Sequence, residues 1–129
     1  MIDHNIDLQK LLDTIEALRG EQGCPWDKKQ TCHSLKKHLQ AECDELVAAI
    51  NNDDHDNICE EIGDLLYVLI MIASISEDGG KFTLKSVIES INAKLIRRHP
   101  HVFAGQPYES EEQLSAQWQA IKAQEKQKK

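Results

Sequence analysis

The sequence predicts an all-α fold, a helical bundle of about five helices. Three observations carry this reading. Apolar residues recur at helical spacing in five separate stretches, short polar or glycine-bearing turns separate them, and several stretches open on a capping residue.

The first stretch covers residues 7 to 19, with Leu8, Leu11, Leu12, Ile15 and Leu18 on one face and Asp7 as N-cap. Gly20 and Gly23 end it, and Gly23-Cys24-Pro25-Trp26-Asp27 reads as a loop stiffened by Pro25. The second helix runs from Thr31 or Ser34 to Ile50, carried by Leu35, Leu39, Leu46 and Ala49. Asn51-Asn52-Asp53-Asp54 breaks it, and a turn this short makes the next helix an antiparallel neighbour. The third helix starts at Asp54 or Asp56 and reaches Ser76. Its wide apolar face (Ile58, Ile62, Leu65, Leu66, Leu69, Ile70, Ile72) places it at the centre. Gly63 within it costs about 1 kcal/mol against alanine and offers room for a close approach by a helix or a ligand. After the turn Glu77-Asp78-Gly79-Gly80, Thr83 caps a fourth helix to Arg98, with Leu84, Val87, Ile88, Ile91 and Leu95 inward. Pro100 ends it. Ser110-Glu111-Glu112-Gln113 is a capping box for the last helix, striped by Leu114, Trp118 and Ile121, with a fraying tail after Gln124.

The totals narrow the function. With 129 residues, a single domain spanning 1–129 is expected. A hydrophobic content of 40% and a charged content of 29% suit a soluble globular chain. No apolar run approaches a membrane span, and the acidic, amphipathic start is unlike a signal peptide, so a cytoplasmic location is expected. The net charge of −7 argues against a nucleic-acid polymer as partner. Basic residues concentrate late, at Lys94, Arg97 and Arg98 and at Lys126, Lys128 and Lys129. Cys24, Cys32, Cys43 and Cys59 form no CxxC pair. Buried reduced thiols are expected rather than disulfides or a Cys24/Cys32/His33 zinc site.

Chemistry concentrates between Glu42 and Asp64. Glu42 and Glu45 are three apart, as are Glu61 and Asp64, so each pair shares a helix face. Glu42 falls inside the apolar stripe of its helix. Val68, Met71 and Ile75 continue the stripe of Glu61 and Asp64. Like charges turned toward an interior are costly unless something neutralises them. The antiparallel hairpin brings the two pairs together, and four hard oxygen donors suit Mg²⁺, with Mn²⁺ as a substitute. The bland alternative is a pair of solvated acidic faces. Lys94, Arg97 and Arg98 read either as cations at a helix C-terminus or as a phosphate clamp. Trp26 either plugs the core or offers a flat face to a base or sugar. His99 and His101, flanking Pro100, are ordinary loop residues more readily than metal ligands.

Taken together, the motifs resemble a family. Glu42-x-x-Glu45 with Glu61-x-x-Asp64 is similar to the ExxE…ExxD motif of the all-α nucleoside triphosphate pyrophosphohydrolases. Within that superfamily the Gly23–Asp27 loop, Glu61–Leu66, Lys94–Phe103 and Trp118–Lys122 resemble the MazG family, over roughly Leu8 to Lys126. One departure is Ala41, where many relatives carry a further glutamate.

The resemblance implies Mg²⁺-dependent hydrolysis of a nucleoside triphosphate to the monophosphate and pyrophosphate. It assigns Glu42, Glu45, Glu61 and Asp64 to the metal. Of these, Glu42 is expected to take the proton of the attacking water, because its place on the apolar stripe suggests the driest setting. Glu61, Lys94 and Arg97 complete the catalytic set. Trp26, Lys94, Arg97 and Arg98 would bind substrate, the cations stabilising the leaving pyrophosphate. It further implies a homodimer or homotetramer, in which self-association completes the bundle. The competing reading is a non-catalytic acidic helical module that binds a protein and holds a structural metal.

Overall fold

The computed structural model describes residues 4–128. Lys129, one of the terminal cations noted above, lies outside the described residues. These form seven helices and, among the described residues, no strand: α1 (His4–Arg19), α2 (Pro25–Lys29), α3 (Cys32–Asn51), α4 (His55–Asp78), α5 (Leu84–Arg98), α6 (Pro100–Phe103) and α7 (Glu111–Gln127). The five long helices are those expected. The two short ones fall where loops were read. Pro25 and Pro100 each open one of them, because a proline at the first helical position gives up an N–H that would have no partner there. α1 begins at His4, ahead of Asp7.

The chain divides into two compact units, Met1–Leu84 and Lys85–Lys129. In the first, α3 packs along α4, and α1 touches α2 and α4. Local chemistry fixes the hairpin ends. The Thr31 side chain accepts from the Ser34 N–H, while the Ser34 hydroxyl accepts from the Thr31 N–H, closing a capping box at the start of α3. The Asp54 carboxylate caps α4 at Asn57. Asp53, with φ of 51°, takes the left-handed conformation that lets so short a turn reverse the chain.

Ile15, Leu35, Ile70 and Met71 form the core, with Leu11, Leu12, Tyr67, Ile72 and Ile75 packed against it. Two polar ties close it off. The Arg19 guanidinium donates to Ser74 and Asp78, and the Tyr67 hydroxyl donates to the buried Asp27 carboxylate, anchoring α2 on α4. Burial and the Asp27 carboxylate push the Tyr67 phenol above its ordinary range, which keeps it a donor.

Only part of the apolar face of α4 is covered. Ile62, Leu66 and Leu69 form an exposed stripe, and Val47 and Ile50 are exposed on α3. Val87, Ile88, Ile91 and Leu95 of α5, read as inward, are also largely exposed, and α5 buries no residue fully. Helical spacing gives the face a side chain occupies; it does not say that this chain supplies the cover.

In the second unit Glu125 of α7 accepts hydrogen bonds from both Arg97 and Arg98 of α5. α7 therefore continues past Gln124, where fraying was expected. The Ser110 hydroxyl caps α7 at Gln113, but the Gln113 side chain returns to the N–H of Glu109 rather than of Ser110.

Gly23 is the tightest backbone position: a Cβ there would lie 2.2 Å from the Leu18 carbonyl oxygen. Backbone cannot yield as a side-chain tip can, so Gly23→Ala is expected to destabilise the first unit by about 1–3 kcal/mol, the usual cost of overpacking. Thermal denaturation of wild type against variant measures it, and an unchanged Tm would contradict this account of the turn.

Candidate metal centre

α3 contributes Glu42 and Glu45, and α4 contributes Glu61 and Asp64. One carboxylate oxygen from each lies within 4.8 Å of the other three. The hairpin thus brings together all four acids singled out by spacing. Glu61 is buried at 8% exposure, Glu42 is half-buried, and Glu45 and Asp64 are exposed. The group runs from a dry floor to a wet rim.

The driest acid is Glu61, not Glu42 as expected. Val68, Ile70 and Met71 of α4 are buried after Glu61, whereas α3 buries only Leu35 and Ala49. The more deeply packed helix carries the drier carboxylate. The Oε2 atoms of both Glu42 and Glu61 are buried without a hydrogen-bond partner. A buried acceptor left unpaired is costly, and four carboxylates around it add repulsion.

The titration follows. Burial first, then contact with the Glu45 carboxylate and the charges of Glu45 and Asp64, pushes the Glu61 carboxyl up to about 7. Burial, Glu45 and Asp64 raise Glu42 as well. A divalent cation would give the orphan oxygens a partner and the charges a counter-charge. The donor set is all oxygen, and the site is open at the rim, so the residues fit a hard cation that keeps part of its shell for water or substrate.

Other candidates separate from this group. Among the described residues these four acids are the one cluster that could hold a metal ion, so Cys24, Cys32 and His33 form no such group. All four cysteines are free; Cys43 and Cys59 are exposed and Cys24 and Cys32 half-buried, so the expected burial of the thiols does not hold for the first two. His99 and His101 pack near each other, and the His101 ring meets Tyr108 edge-on.

Trp26 does not plug the core. It is 37% exposed and meets the His38 ring edge-on at 5.2 Å. Lys94 is half-buried on α5. Arg97 and Arg98 already hold Glu125, whose carboxyl they draw down to about 2, chiefly through the Arg98 hydrogen bond. Sequence reading missed Glu125, which sits on a polar stretch with no periodic signal.

Comparison with known proteins identifies the family. Residues 30–103 match the model of the MazG nucleotide pyrophosphohydrolase domain. The chain is 46% identical over its whole length to 49% of the nucleoside triphosphate pyrophosphohydrolase/pyrophosphatase MazG of Thermotoga maritima. It is 37% identical, over 95% of its length, to 47% of a nucleoside triphosphate pyrophosphohydrolase of Escherichia coli. An uncharacterized Bacillus subtilis protein, YabN, matches 87% of the chain at 48% identity over 23% of its own length. The chain thus spans about half, or less, of these curated relatives. The crystal structure of a mazG-related protein from Thermotoga maritima superposes with a TM-score of 0.75 at 30% identity, covering 89% of this chain and 98% of that one.

The raised Glu61 carboxyl gives a signed pH dependence. Its folded value lies above the ordinary 4.5, so the unliganded fold is favoured at low pH and loses stability as pH rises from about 4.5 to 7. In chelator, wild-type Tm should fall across that window. Glu61→Gln should flatten the slope, and a divalent cation should restore the wild type above pH 7. A Tm in chelator independent of pH, or the same slope in the variant, would refute this.

Proposed function

Since this chain belongs to the MazG nucleotide pyrophosphohydrolase family, we propose that it hydrolyses nucleoside triphosphates to the monophosphate and pyrophosphate, as one MazG-like domain using Mg²⁺. The observation that carries this is the convergence of Glu42, Glu45, Glu61 and Asp64 on one point, with buried oxygens of Glu42 and Glu61 unpartnered. A protein-docking module has no need to bury like charges against one another.

Mg²⁺, or Mn²⁺ in its place, would be held by these four carboxylates and would offset phosphate charge and acidify water. The rest falls to side chains. A water oxygen bonds to phosphorus, the α–β anhydride P–O bond breaks, and pyrophosphate leaves. Glu61 and Glu42 are the candidates for taking the water's proton. They are the two least exposed carboxylates of the group, and each has a second oxygen that could reach a water when the first holds the cation. Trp26 borders the substrate. Lys94 offsets charge on the departing group. Arg97 and Arg98 join it by exchanging the Glu125 carboxylate for phosphate, since the same guanidinium fork fits both.

Self-association to a homodimer or homotetramer is part of the reading. Ile62, Leu66 and Leu69 on α4, with Val47 and Ile50 on α3, leave apolar surface on the very hairpin that carries the acids. No helix of the described residues is long and apolar enough to cross a membrane.

Pyrophosphate release from a panel of ribo- and deoxyribonucleoside triphosphates tests the activity. Mg²⁺-dependent release is expected from at least one. Glu61→Gln should lose more than the roughly 10–100-fold that removing an outer partner of a metal ligand costs. Full turnover in Glu61→Gln, or no release from any triphosphate, would reject the scheme.

A further inference from the structure

From Ser90 to Tyr108 the chain carries no acid, and from Gln113 to Lys128 it carries one, Glu125. The second unit sets that one carboxylate against two arginines. Arg97 donates to its Oε2, and Arg98 donates to its Oε1 from Nε at 3.1 Å and from Nη2 at 2.8 Å. Arg97 engages through Nε alone, so among the described residues its terminal nitrogens have no acceptor. Two guanidinium forks thus share one carboxylate, although each could hold an oxyanion of its own.

A cavity of about 550 Å³ opens on this group, with Arg97, Gln106, Gln124, Glu125 and Lys128 as its polar walls. Among the described residues, no ion pair engages Lys128. Arg97, Arg98 and Lys128 therefore meet a single negative charge, and positive charge is left over in a chain whose net charge is −7. The hydrogen bond from Arg98, then that from Arg97, holds the Glu125 carboxyl down at about 2, so the group that fills the clamp is itself an anion at neutral pH.

We propose that Glu125 is an internal competitor that decides which anions this clamp accepts: it occupies Arg97 and Arg98 until a pyrophosphoryl group, entering through the cavity, displaces it. This deepens the function proposed above and rests on it. A pyrophosphoryl group carries two phosphoryl units, one for each fork, and its further charge answers Lys128. A lone phosphate fills one fork and offers little over the carboxylate that it must expel. A site that is mostly closed weakens every ligand by the fraction of molecules that are open. Weakly held anions, the monophosphate product among them, then fail to bind, and the triphosphate tail still does. Glu125 is a positioning residue here: it acts through the two arginines and sets the threshold that a ligand has to pass.

The test uses the full chain in chelator, so that the acid cluster holds no metal. Pyrophosphate and inorganic phosphate are titrated by calorimetry into the parent, Glu125→Gln and Glu125→Asp. Glu89→Gln, whose partner Lys85 lies in the first turns of α5, is the control. Glu125→Gln should bind pyrophosphate about 10-fold more tightly than the parent, and should bind inorganic phosphate where the parent does not. Glu125→Asp keeps the charge but is too short to span both arginines, so it should tighten pyrophosphate binding by about threefold. The control should match the parent. With Mg²⁺, KM for the triphosphate should fall in Glu125→Gln while kcat does not rise. Equal or weaker binding by a folded Glu125→Gln makes Glu125 a structural tie and overturns the proposal. Glu125→Asp that matches the parent reduces the effect to net charge and overturns it too. Should Glu125→Gln fail to fold, Glu125→Asp decides alone, and loss of the fold in both also overturns it. Tighter binding by the variants without any hydrolysis by the parent rejects the activity and keeps the competitor. Hydrolysis by the parent with unchanged binding by the variants does the reverse.

Discussion

Four carboxylates held against one another at the α3–α4 interface are the constraint on which the rest of this structure turns. Their mutual repulsion opposes the packing that creates them as a group. The hairpin must therefore be held by something else: the capped start of each helix, the tight turn through Asp53, and the core of Ile15, Leu35, Ile70 and Met71. The Thr31 cap, Leu35, Ile70 and Met71 lie on one side of the acids along the hairpin, and the Asp53 turn with the Asp54 cap lies on the other. The fold is anchored away from the acids so that they can remain under strain, a usual division between scaffold and site.

How much of this could be read from sequence depended on whether the relevant signal was local. Glu42, Glu45, Glu61 and Asp64 were legible because i, i+3 spacing and a short turn dictate their meeting. Thr31 and Ser110 were legible as caps for the same reason. The depth order within the acids was not. Whether Glu42 or Glu61 is drier depends on how deeply each helix is packed, a tertiary fact that periodicity on α3 cannot supply. Asp27–Tyr67 and Arg98–Glu125 join residues 40 and 27 positions apart, with no pattern to announce them.

The exposed apolar residues bear on the same limit. A helical stripe that reads as core may be core only of an assembly, and α4 shows both cases on one helix. Val68 and Met71 are covered within the chain, whereas Ile62, Leu66 and Leu69 are not. The uncovered stripe begins next to Glu61, so whatever covers it also changes the dielectric around the acids.

Gly63 brings this to a point. It lies between Glu61 and Asp64, and a Cβ built there would meet nothing within 4 Å. Within the chain its missing side chain serves no packing need, yet it weakens α4 by about 1 kcal/mol relative to alanine. The result is a bare strip of main chain on the outer side of the turn that presents both acids. Peptide groups there face water rather than a side chain, so the turn of α4 that carries Glu61 and Asp64 has hydrogen bonds open to competition from water.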